Sequence, residues 1–412
     1  MSITPCALSL PLDMGERPLR ILFLAPQPFF EVRGTPLAVL HLTRALAGLG
    51  HSVDLLTFPQ GEAVAIAGVR HLRSLRLPVG RVKAGPSIAK MLLDVPFLAE
   101  AVARMASGRY DVVHAVEESA HLVAPFARLL RIPLVVDVDS SIPDQLRYSG
   151  FATRGPLVWL ADTLEAHALR HAAAAVTVCT SLTEGVKRRV PELPVFQVED
   201  PPLVDRRQPP APEAVAALRR ELGLGEAPVV LYSGNFESYQ GVELLLEATP
   251  RVPGAQFLFM GGRPAQIEAL RARARELGSA DRVFFSGTRP PSELPIFLAL
   301  ADVLASPRVK GENTPFKIYS YLASGRPIVA TRIATHTQLL DDSLAFLVEP
   351  TSEALADGLR QALEHKDDAQ ARADRGLALV EREYSVERYR EKIARAYKEV
   401  ERRVRGASGG PA

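Results

Sequence analysis

The sequence predicts an α/β protein built from two Rossmann-like, doubly wound domains. Short apolar runs rich in β-branched residues alternate with longer amphipathic segments along the chain, as in successive βαβ units. A cluster of prolines near the middle interrupts this rhythm, and 412 residues are too many for one ordinary hydrophobic core. The two domains are expected to face each other across a cleft. Because ligands bind at the carboxyl ends of strands in such sheets, the loops that follow the strands should line that cleft.

The first half of the chain contains six runs that predict parallel strands. Helical stretches lie between them, for example 36–49 and 157–171. We expect residues 1–19 to form a flexible tail and residues 20–200 to form the first domain. The predicted strands are 20–25, 52–58, 111–116, 133–138, 174–179 and 195–198.

The second half repeats the pattern after a linker predicted at 201–212, within the run EDPPLVDRRQPPAPEA. Residues 213–383 are expected to form the second domain, and 384–412 a C-terminal helix and tail that packs back on the first. Ser385 is the predicted N-cap of that helix. The predicted strands of this half are 229–233, 256–260, 283–286, 302–305, 327–331 and 345–348.

Composition narrows the class of protein and its surroundings. The apolar fraction of 47% and the charged fraction of 23% are typical of a soluble globular protein, and a net charge of +2 argues against nucleic acid as the main partner. Cys6 and Cys179 are far apart, so we expect neither a disulfide nor a cysteine zinc site, and a reducing cytoplasm is the simplest location. The first residues, MSITPCALSLPLDMGE, lack the basic segment that begins a signal peptide. Nowhere in the sequence do about 18 apolar residues follow one another without a charge. We therefore expect neither a signal peptide nor a transmembrane helix.

The stretch SPRVKGENTPFKIYSYLASGRPIVAT (306–331) predicts a phosphate-binding junction. A strand end opens into a polar, glycine-containing turn that leads into a helix, whose first backbone N–H groups are unpaired and carry the positive end of the helix dipole. Glu312 can accept sugar hydroxyls, Pro315 suits a first helical position and Lys317 adds a cation. Asn313 and Thr314 leave backbone donors accessible. The alternative is an ordinary strand–turn–helix of an α/β domain.

These loops resemble those of a known family, the retaining, nucleotide-sugar-dependent glycosyltransferases of family 4 with the GT-B fold. In the second half the matching runs are SGNFESYQGVELLLEA (233–248), FLFMGGRP (257–264), DRVFFSGTRPPSELPIFLALADVLASP (281–307) and the junction just described. The first half matches through ILFLAPQPFFEVRGTPLAVLHLTRALAGLGHSVDLLT (21–57) and DVVHAVEE (111–118). The resemblance covers nearly the whole chain beyond residue 20, with the motifs in the family's order.

The resemblance implies a donor site that departs from the family pattern. Glu312 matches a glutamate that contacts the sugar, but Ser320 stands where the family has a second glutamate for the ribose. A hydroxyl loses the charge-assisted bond, worth about 1 kcal/mol or more. Asn235 and Gln240 stand where the family has an arginine and a lysine that clamp the diphosphate. We expect basic residues of the junction to replace them, so the implied donor-binding set is Gly34, Thr35, Gly234, Asn235, Gln240, Gly241, Arg308, Lys310, Asn313, Thr314, Pro315, Phe316 and Ser320, with Lys317.

The first domain is expected to bind the acceptor. His114 ends a predicted strand, and it is interpreted either as a packed histidine or as a contact to the transferred sugar. Glu117 and Asp139 are the candidate acceptor residues, in a set of strand-end carboxylates that can equally be solvated loop residues or helix caps. That set is Glu117, Glu118, Asp137, Asp139 and Asp144.

The segment 79–105 predicts an amphipathic helix preceded by cations. Arg81, Lys83 and Lys90 stand at its start. Such a helix can lie in a membrane interface and give access to a lipid-linked acceptor on the cytoplasmic face, or it can be an ordinary core helix of a Rossmann unit.

The predicted function is transfer of a sugar from a nucleotide-diphosphate sugar to the hydroxyl of a glycan or lipid-linked acceptor, with retention. Glu312, His114 and Lys317 are the candidate catalytic residues, and no metal and no cofactor beyond the donor are expected. The Asp137-Val138-Asp139 spacing falls in the acceptor half and is interpreted as incidental. Alternatives are an epimerase or phosphorylase of the same fold, a non-catalytic nucleotide-sugar-binding protein, and an NAD-dependent dehydrogenase, which lacks its G-x-G-x-x-G here.

Overall fold

The computed structural model describes residues 18–31, 34–80, 82, 87–143, 146 and 155–408. Most of the predicted N-terminal tail lies outside these residues, as do Arg81, Lys83 and Asp144. The chain divides into two compact units, one made of Met1–Glu199 with Tyr389–Ala412 and the other of Asp200–Arg388. The predicted linker 201–212 falls in the second unit, and the predicted C-terminal segment 384–412 is divided between the two.

The first unit is built on a seven-stranded parallel sheet in the order β3-β2-β1-β4-β5-β6-β7. Its strands are β1 (Arg20–Ala25), β2 (Ser52–Thr57), β3 (Val69–Arg73), β4 (Val112–Val116), β5 (Leu134–Val138), β6 (Ala174–Thr177) and β7 (Val195–Gln197). Its helices up to residue 189 are α1 (Gly34–Gly48), α2 (Ile88–Ala106), α3 (Glu118–Leu129), α4 (Pro156–Arg170) and α5 (Thr180–Arg189).

The second unit is built on a six-stranded parallel sheet in the order β10-β9-β8-β11-β12-β13. Its strands are β8 (Val229–Ser233), β9 (Gln256–Met260), β10 (Val283–Gly287), β11 (Val303–Ser306), β12 (Ile328–Thr331) and β13 (Phe346–Val348). Its helices are α6 (Pro212–Glu221), α7 (Val242–Ala248), α8 (Pro264–Glu276), α9 (Leu294–Leu300), α10 (Lys317–Ser324), α11 (Ala334–Thr337), α12 (Ser352–Glu364) and α13 (Lys366–Leu379).

A last helix, α14 (Val386–Ser408), packs on one face of the first sheet. Its Ile393 and Tyr397 are buried in the same hydrophobic cluster as Phe23 of β1. The backbone N–H of Arg388 donates to Ser385 Oγ at 3.2 Å, which confirms Ser385 as the N-cap of this helix. The C-terminal helix therefore completes the core of a unit whose sheet lies far earlier in the sequence.

The predicted class of fold is confirmed, since all twelve predicted strands are present in two parallel sheets. β3 was not predicted. Its sequence, VRHLR, has no apolar run, and none of its residues is fully buried because it is the edge strand of the sheet. An edge strand can do with fewer apolar side chains than a central one, and hydrophobic patterning does not detect this one because it has no apolar run.

Candidate functional site

The loops that follow β8 and β11 meet at the carboxyl edge of the second sheet, where these two strands are neighbours. The backbone N–H of Val309 donates to Tyr239 O at 2.9 Å, which joins the loops directly. Gly241 has φ +69°, and a Cβ there would lie 1.9 Å from Pro307 O. Only glycine allows this close approach. The structure thus brings together the two segments that hold most of the predicted donor-binding residues.

Lys317, the first residue of α10, reaches the loop after β8. Its Nζ lies 3.2 Å from Gln240 Oε1 and 3.9 Å from the centre of the Tyr232 ring. A Cβ on Gly234 would lie 2.9 Å from the same Nζ, so that glycine leaves the ammonium room. Among the described residues no carboxylate lies within ion-pair distance of Lys317. Burial, and then the charge of Arg308, lower the pKa of Lys317 well below its usual value.

Arg308 is buried and folds back on its own loop. Its Nε donates to Lys310 O at 2.7 Å, and one terminal nitrogen donates to Asn313 Oδ1 at 3.1 Å. The guanidinium also lies over the Tyr239 ring, 5.4 Å from its centre. Gly311 lies against this guanidinium, at φ +140°. These contacts make Arg308 the residue that shapes the loop, whereas the sequence analysis assigned it to the diphosphate.

Glu312 is half-buried at the turn of the loop, and its backbone is braced from another element. Gln338, directly after α11, donates its Nε2 hydrogen to Glu312 O at 2.9 Å. Sequence reasoning missed Gln338, because a single glutamine after a short helix carries no sequence signal for this contact. A fixed backbone at Glu312 limits the positions that its carboxylate can take.

A buried histidine lies behind the loop. His336 Nδ1 donates to Thr331 O at 2.8 Å, and its Nε2 lies 2.9 Å from Ser306 Oγ. Burial is the main cause that lowers the pKa of His336 to about 4, and the charges of Arg308 and Lys317 act in the same direction. The ring is therefore neutral at pH 7 and ties the ends of β11 and β12 together. Sequence reasoning also missed this residue.

Ser320 is fully buried, and its Oγ accepts a hydrogen bond from the backbone N–H of Leu203 at 2.9 Å. The residue predicted to reach the ribose thus holds the start of the second unit. Beside it, the hydroxyl of Tyr321 accepts from the backbone N–H of Ser233 at 2.8 Å, and burial raises the pKa of Tyr321 to about 12. Both contacts are structural, because they satisfy backbone groups that would otherwise be buried unpaired.

The other predicted donor-binding residues of the second unit differ in accessibility. Gly234 and Asn235 are exposed, and Asn235 Oδ1 accepts from the backbone N–H of Glu237 at 3.2 Å. Lys310 is also exposed. Thr314 and Pro315 are buried, while Asn313 and Phe316, the latter just before α10, are half-buried.

In the first unit, His114 is buried in the core. Its side chain is 0% exposed, its Nδ1 lies 2.8 Å from the Tyr397 hydroxyl, and its Nε2 lies 3.2 Å from Asp137 Oδ2. The ring stacks on Phe23 with 4.5 Å between ring centres. Both nitrogens make contacts inside the core, which fits the packed-histidine interpretation, and the assignment of His114 to catalysis stays a prediction.

The predicted acceptor residues lie at the carboxyl ends of β4 and β5. Glu117 precedes α3 at φ +50°, and its Oε1 accepts from Ser140 Oγ at 2.8 Å. Burial is the main cause that raises the pKa of Glu117, and the charge of Lys90 opposes it. Asp139 is buried in the following segment. A half-buried glutamate with a raised pKa can exchange a proton more readily near neutral pH than an exposed one.

Gly34 and Thr35 form the first turn of α1, where Gly34 is exposed. Across the described ranges, no group of three or more His, Cys, Asp or Glu side chains is arranged to hold a metal ion. Within the same ranges no helix combines the length and apolar character that a bilayer crossing requires.

Two family models match the chain. "Glycosyl transferases group 1" matches residues 227–365, and "Glycosyl transferase 4-like domain" matches residues 33–195. Each match falls within one of the two units, and together they span most of the chain.

Curated relatives include two bacterial transferases. The alpha-D-kanosaminyltransferase of Streptomyces kanamyceticus is 28% identical over 286 residues, 66% of this chain and 72% of that protein. The GDP-mannose-dependent alpha-(1-6)-phosphatidylinositol monomannoside mannosyltransferase of Mycolicibacterium smegmatis is 37% identical over 143 residues, which are 32% of this chain and 37% of that protein. The second match is closer in sequence but spans well under half of either protein.

Solved structures share the fold at low sequence identity. Anabaena HepE in complex with UDP superposes with a TM-score of 0.71 at 18% identity, covering 92% of this chain and all of that one. The sucrose-phosphate synthase of Thermosynechococcus elongatus has a TM-score of 0.76 at 20% identity, covering 93% and 100%. Two parallel Rossmann-like sheets of this kind define the GT-B class. The chain belongs to the group 1 glycosyltransferases, family 4, of that class.

Proposed function

We propose that this glycosyltransferase uses a nucleoside diphosphate sugar as its donor and that the loops after β8 and β11 hold the diphosphate. The observation that carries the proposal is the environment of the Lys317 ammonium. Its ammonium is partly buried beside Gln240 and Tyr232 and has no carboxylate partner among the described residues. A buried cation without a counter-ion is costly in the free protein, and a diphosphate would supply the missing negative charge.

Lys317 would replace the basic clamp that the loop after β8 lacks. Gln240 accepts from the ammonium, and Gly234 has no Cβ that would crowd it, which would leave it free to meet a phosphate. Arg308 has a different part in this proposal: it shapes the loop through Lys310 O and Asn313 and adds positive potential without a direct phosphate bond. The charge that develops on the leaving diphosphate is then stabilised by a preorganised cation.

Glu312 would accept hydroxyl hydrogens of the donor sugar, with its backbone held by Gln338. In the retaining reaction the bond from the anomeric carbon to the phosphate oxygen breaks, and the bond to the acceptor oxygen forms on the same face. The acceptor hydroxyl proton passes to the departing phosphate oxygen, so nucleoside diphosphate and glycoside are the products. This route needs no covalent nucleophile, and we propose that it needs no metal because Lys317 and backbone N–H groups meet the phosphate charge.

The acceptor would be a glycan or a lipid-linked hydroxyl compound bound by the first unit near Glu117 and Asp139. A lipid-linked acceptor is in keeping with the name of the mycobacterial relative, which acts on a phosphatidylinositol mannoside. Such an acceptor would place the reaction at the cytoplasmic face of a membrane. The raised pKa of Glu117 suits a group that hydrogen-bonds an acceptor hydroxyl.

A second candidate is a non-catalytic nucleotide-sugar-binding protein. Ser320 is occupied by the backbone of Leu203, and Asn235 and Gln240 are neutral where a clamp would be charged. These residues would weaken the donor site without closing it. Turnover separates the two candidates.

The test is a screen of the purified protein against UDP-, GDP- and ADP-sugars, read by thermal shift and by release of nucleoside diphosphate. The sugars of one nucleotide are expected to stabilise the protein. Their nucleoside diphosphate is expected to be released slowly when no acceptor is present. Glu312→Gln should lower that release by about 10- to 100-fold, since a contact that strengthens in the transition state is lost. Stabilisation without release, even with acceptor present, would favour the binding protein, and no response to any donor would refute both.

A further inference from the structure

Helix α2 of the first unit carries aliphatic side chains on its outer face as well as its inner face. Ile88, Met91, Leu92 and Val95 are between 49% and 70% exposed, and their spacing of i, i+3, i+4, i+7 forms one stripe. The inner face is buried in the core through Leu93, Phe97, Ala101 and Met105. A surface helix normally turns polar residues to water, so the first half of α2 lacks its polar face.

Helix α4 repeats this arrangement at its own start. Leu157, Trp159, Leu160 and Leu164 are between 36% and 69% exposed. Trp159 is the single tryptophan of the chain and the most exposed of the four. Tryptophan is enriched where one side of a residue meets apolar matter and the other meets water.

The charged side chains near these stripes point inward or are paired. Lys90 Nζ lies 2.5 Å from Glu118 Oε1. On α4, Asp162 and Glu165 both pair with Arg189, at 2.8 Å and 2.6 Å. Aliphatic groups therefore face outward while the charged groups named here are paired with one another, so the outer surface of these helix starts is mainly apolar.

The topology places both stripes at one edge of the sheet. α2 joins β3 to β4 and α4 joins β5 to β6, and both pack into the same core with α3 between them. Crossover helices of a parallel sheet run opposite to the strands, so the starts of α2 and α4 lie at the carboxyl edge. Leu75, just after β3, is 69% exposed at this edge, and Arg76 beside it is exposed without an ion pair among the described residues.

We propose that this apolar surface, formed by Leu75 and the exposed residues of α2 and α4, docks onto a lipid bilayer that contains anionic lipid. Aliphatic stripes with an exposed tryptophan suit the boundary between headgroups and acyl chains. The acids beside the stripes are paired and Arg76 is an exposed cation, so the charge of this surface is complementary to anionic headgroups. Docking would hold the first unit where a lipid-linked acceptor lies, and this consequence rests on the proposed function. Docking itself does not depend on it.

Trp159 reports on the docking directly, since no other tryptophan contributes to the emission. Vesicles of phosphatidylcholine with phosphatidylglycerol should shift its emission to the blue, and lipids brominated near the headgroup should quench it. The Met91→Ser/Val95→Ser variant should bind these vesicles at least about tenfold more weakly in flotation. Leu129→Ser is the matched control, because Leu129 is 78% exposed but lies at the end of α3, at the opposite edge of the sheet.

Three results would overturn the proposal. Emission of Trp159 that is already blue in buffer would mean that the chain itself covers the surface. A dimer that disappears in the double variant, without vesicle binding, would assign the surface to a second copy. Equal vesicle binding by the double variant and by Leu129→Ser would remove the surface from the interaction. Quenching of Trp159 in the wild-type protein keeps the test valid if a variant folds poorly. Vesicle binding without any release of nucleoside diphosphate would refute the proposed function alone.

Discussion

Replacing Lys317 by methionine tests the donor site most sharply, because it removes a charge and keeps most of the side-chain volume. A lysine about 4 Å from one phosphate charge gains about 4 kcal/mol at an effective dielectric constant of about 20. Part of this is offset by the cost of removing both charges from water, which leaves about 2–3 kcal/mol. The dissociation constant of the nucleoside diphosphate should therefore rise by about 30- to 150-fold.

The same substitution should stabilise the free protein. Burial lowers the pKa of Lys317, so the unfolded chain holds its proton more tightly than the folded one. The resulting penalty is fully present below the lowered pKa and disappears as the pH rises above 10.5, the ordinary value. Lys317→Met removes that penalty, so its free energy of unfolding should exceed that of the wild type at pH 7.

Isothermal titration calorimetry with the nucleoside diphosphate selected by the screen measures the first effect, and denaturant unfolding measures the second. Lys366→Met is the matched control, because Lys366 is an exposed lysine at the start of α13. It should change neither quantity. Affinity of Lys317→Met within about twofold of the wild type would refute the assignment of Lys317 to the diphosphate.

Three further predictions concern the framework. Gly241→Ala should lower affinity for the nucleoside diphosphate at least about tenfold and destabilise the fold by about 1–3 kcal/mol, since its Cβ would meet Pro307 O at 1.9 Å. Gly254→Ala is its control for calorimetry and unfolding, because a Cβ at Gly254 would meet no atom within 4 Å. Equal losses of affinity and stability in both variants would contradict the account. Tyr397→Phe should lower the free energy of unfolding in denaturant by about 1 kcal/mol, because the contact with His114 is lost, and should leave the release of nucleoside diphosphate unchanged. A fall in this release at unchanged stability would instead give His114 a part in catalysis. The folded pKa of His336 is lowered to about 4, so stability should fall as the pH drops from 6.5 to 4, by up to about 1.4 kcal/mol per unit. His336→Gln should show a shallower fall in a pH series of unfolding curves, and an unchanged slope would contradict the buried neutral ring.

The fold was predictable because central strands of parallel sheets are buried on both faces and appear as apolar runs. The central strands were found in this way, the edge strands β7, β10 and β13 also appeared as short apolar runs, and β3 was missed because its sequence is polar. The loop after β11, which we propose holds the diphosphate, was predictable in outline because its residues are close in sequence. A polar turn with a glycine between a strand and a helix is a local feature, and it spans only Gly311 to Lys317.

The directions of side chains account for what sequence reasoning missed. The sequence left His114 either as a packed histidine or as a sugar contact, and the Tyr397 hydroxyl, from a residue 283 positions away, lies 2.8 Å from its Nδ1. Arg308 has the charge that a phosphate needs, yet its guanidinium turns back to Lys310 and Asn313. Gln338, directly after α11, supports the backbone of Glu312. Charge and residue type are visible in a sequence, whereas the direction in which a side chain points depends on neighbours brought by the fold.

A crystal structure of the protein with the nucleoside diphosphate that stabilises it tests the central claim most directly. The account predicts a phosphate oxygen about 2.7–3.2 Å from Lys317 Nζ, with the guanidinium of Arg308 still bonded to its own loop. Phosphates bound by Arg308, with Lys317 still held by Gln240 alone, would contradict it.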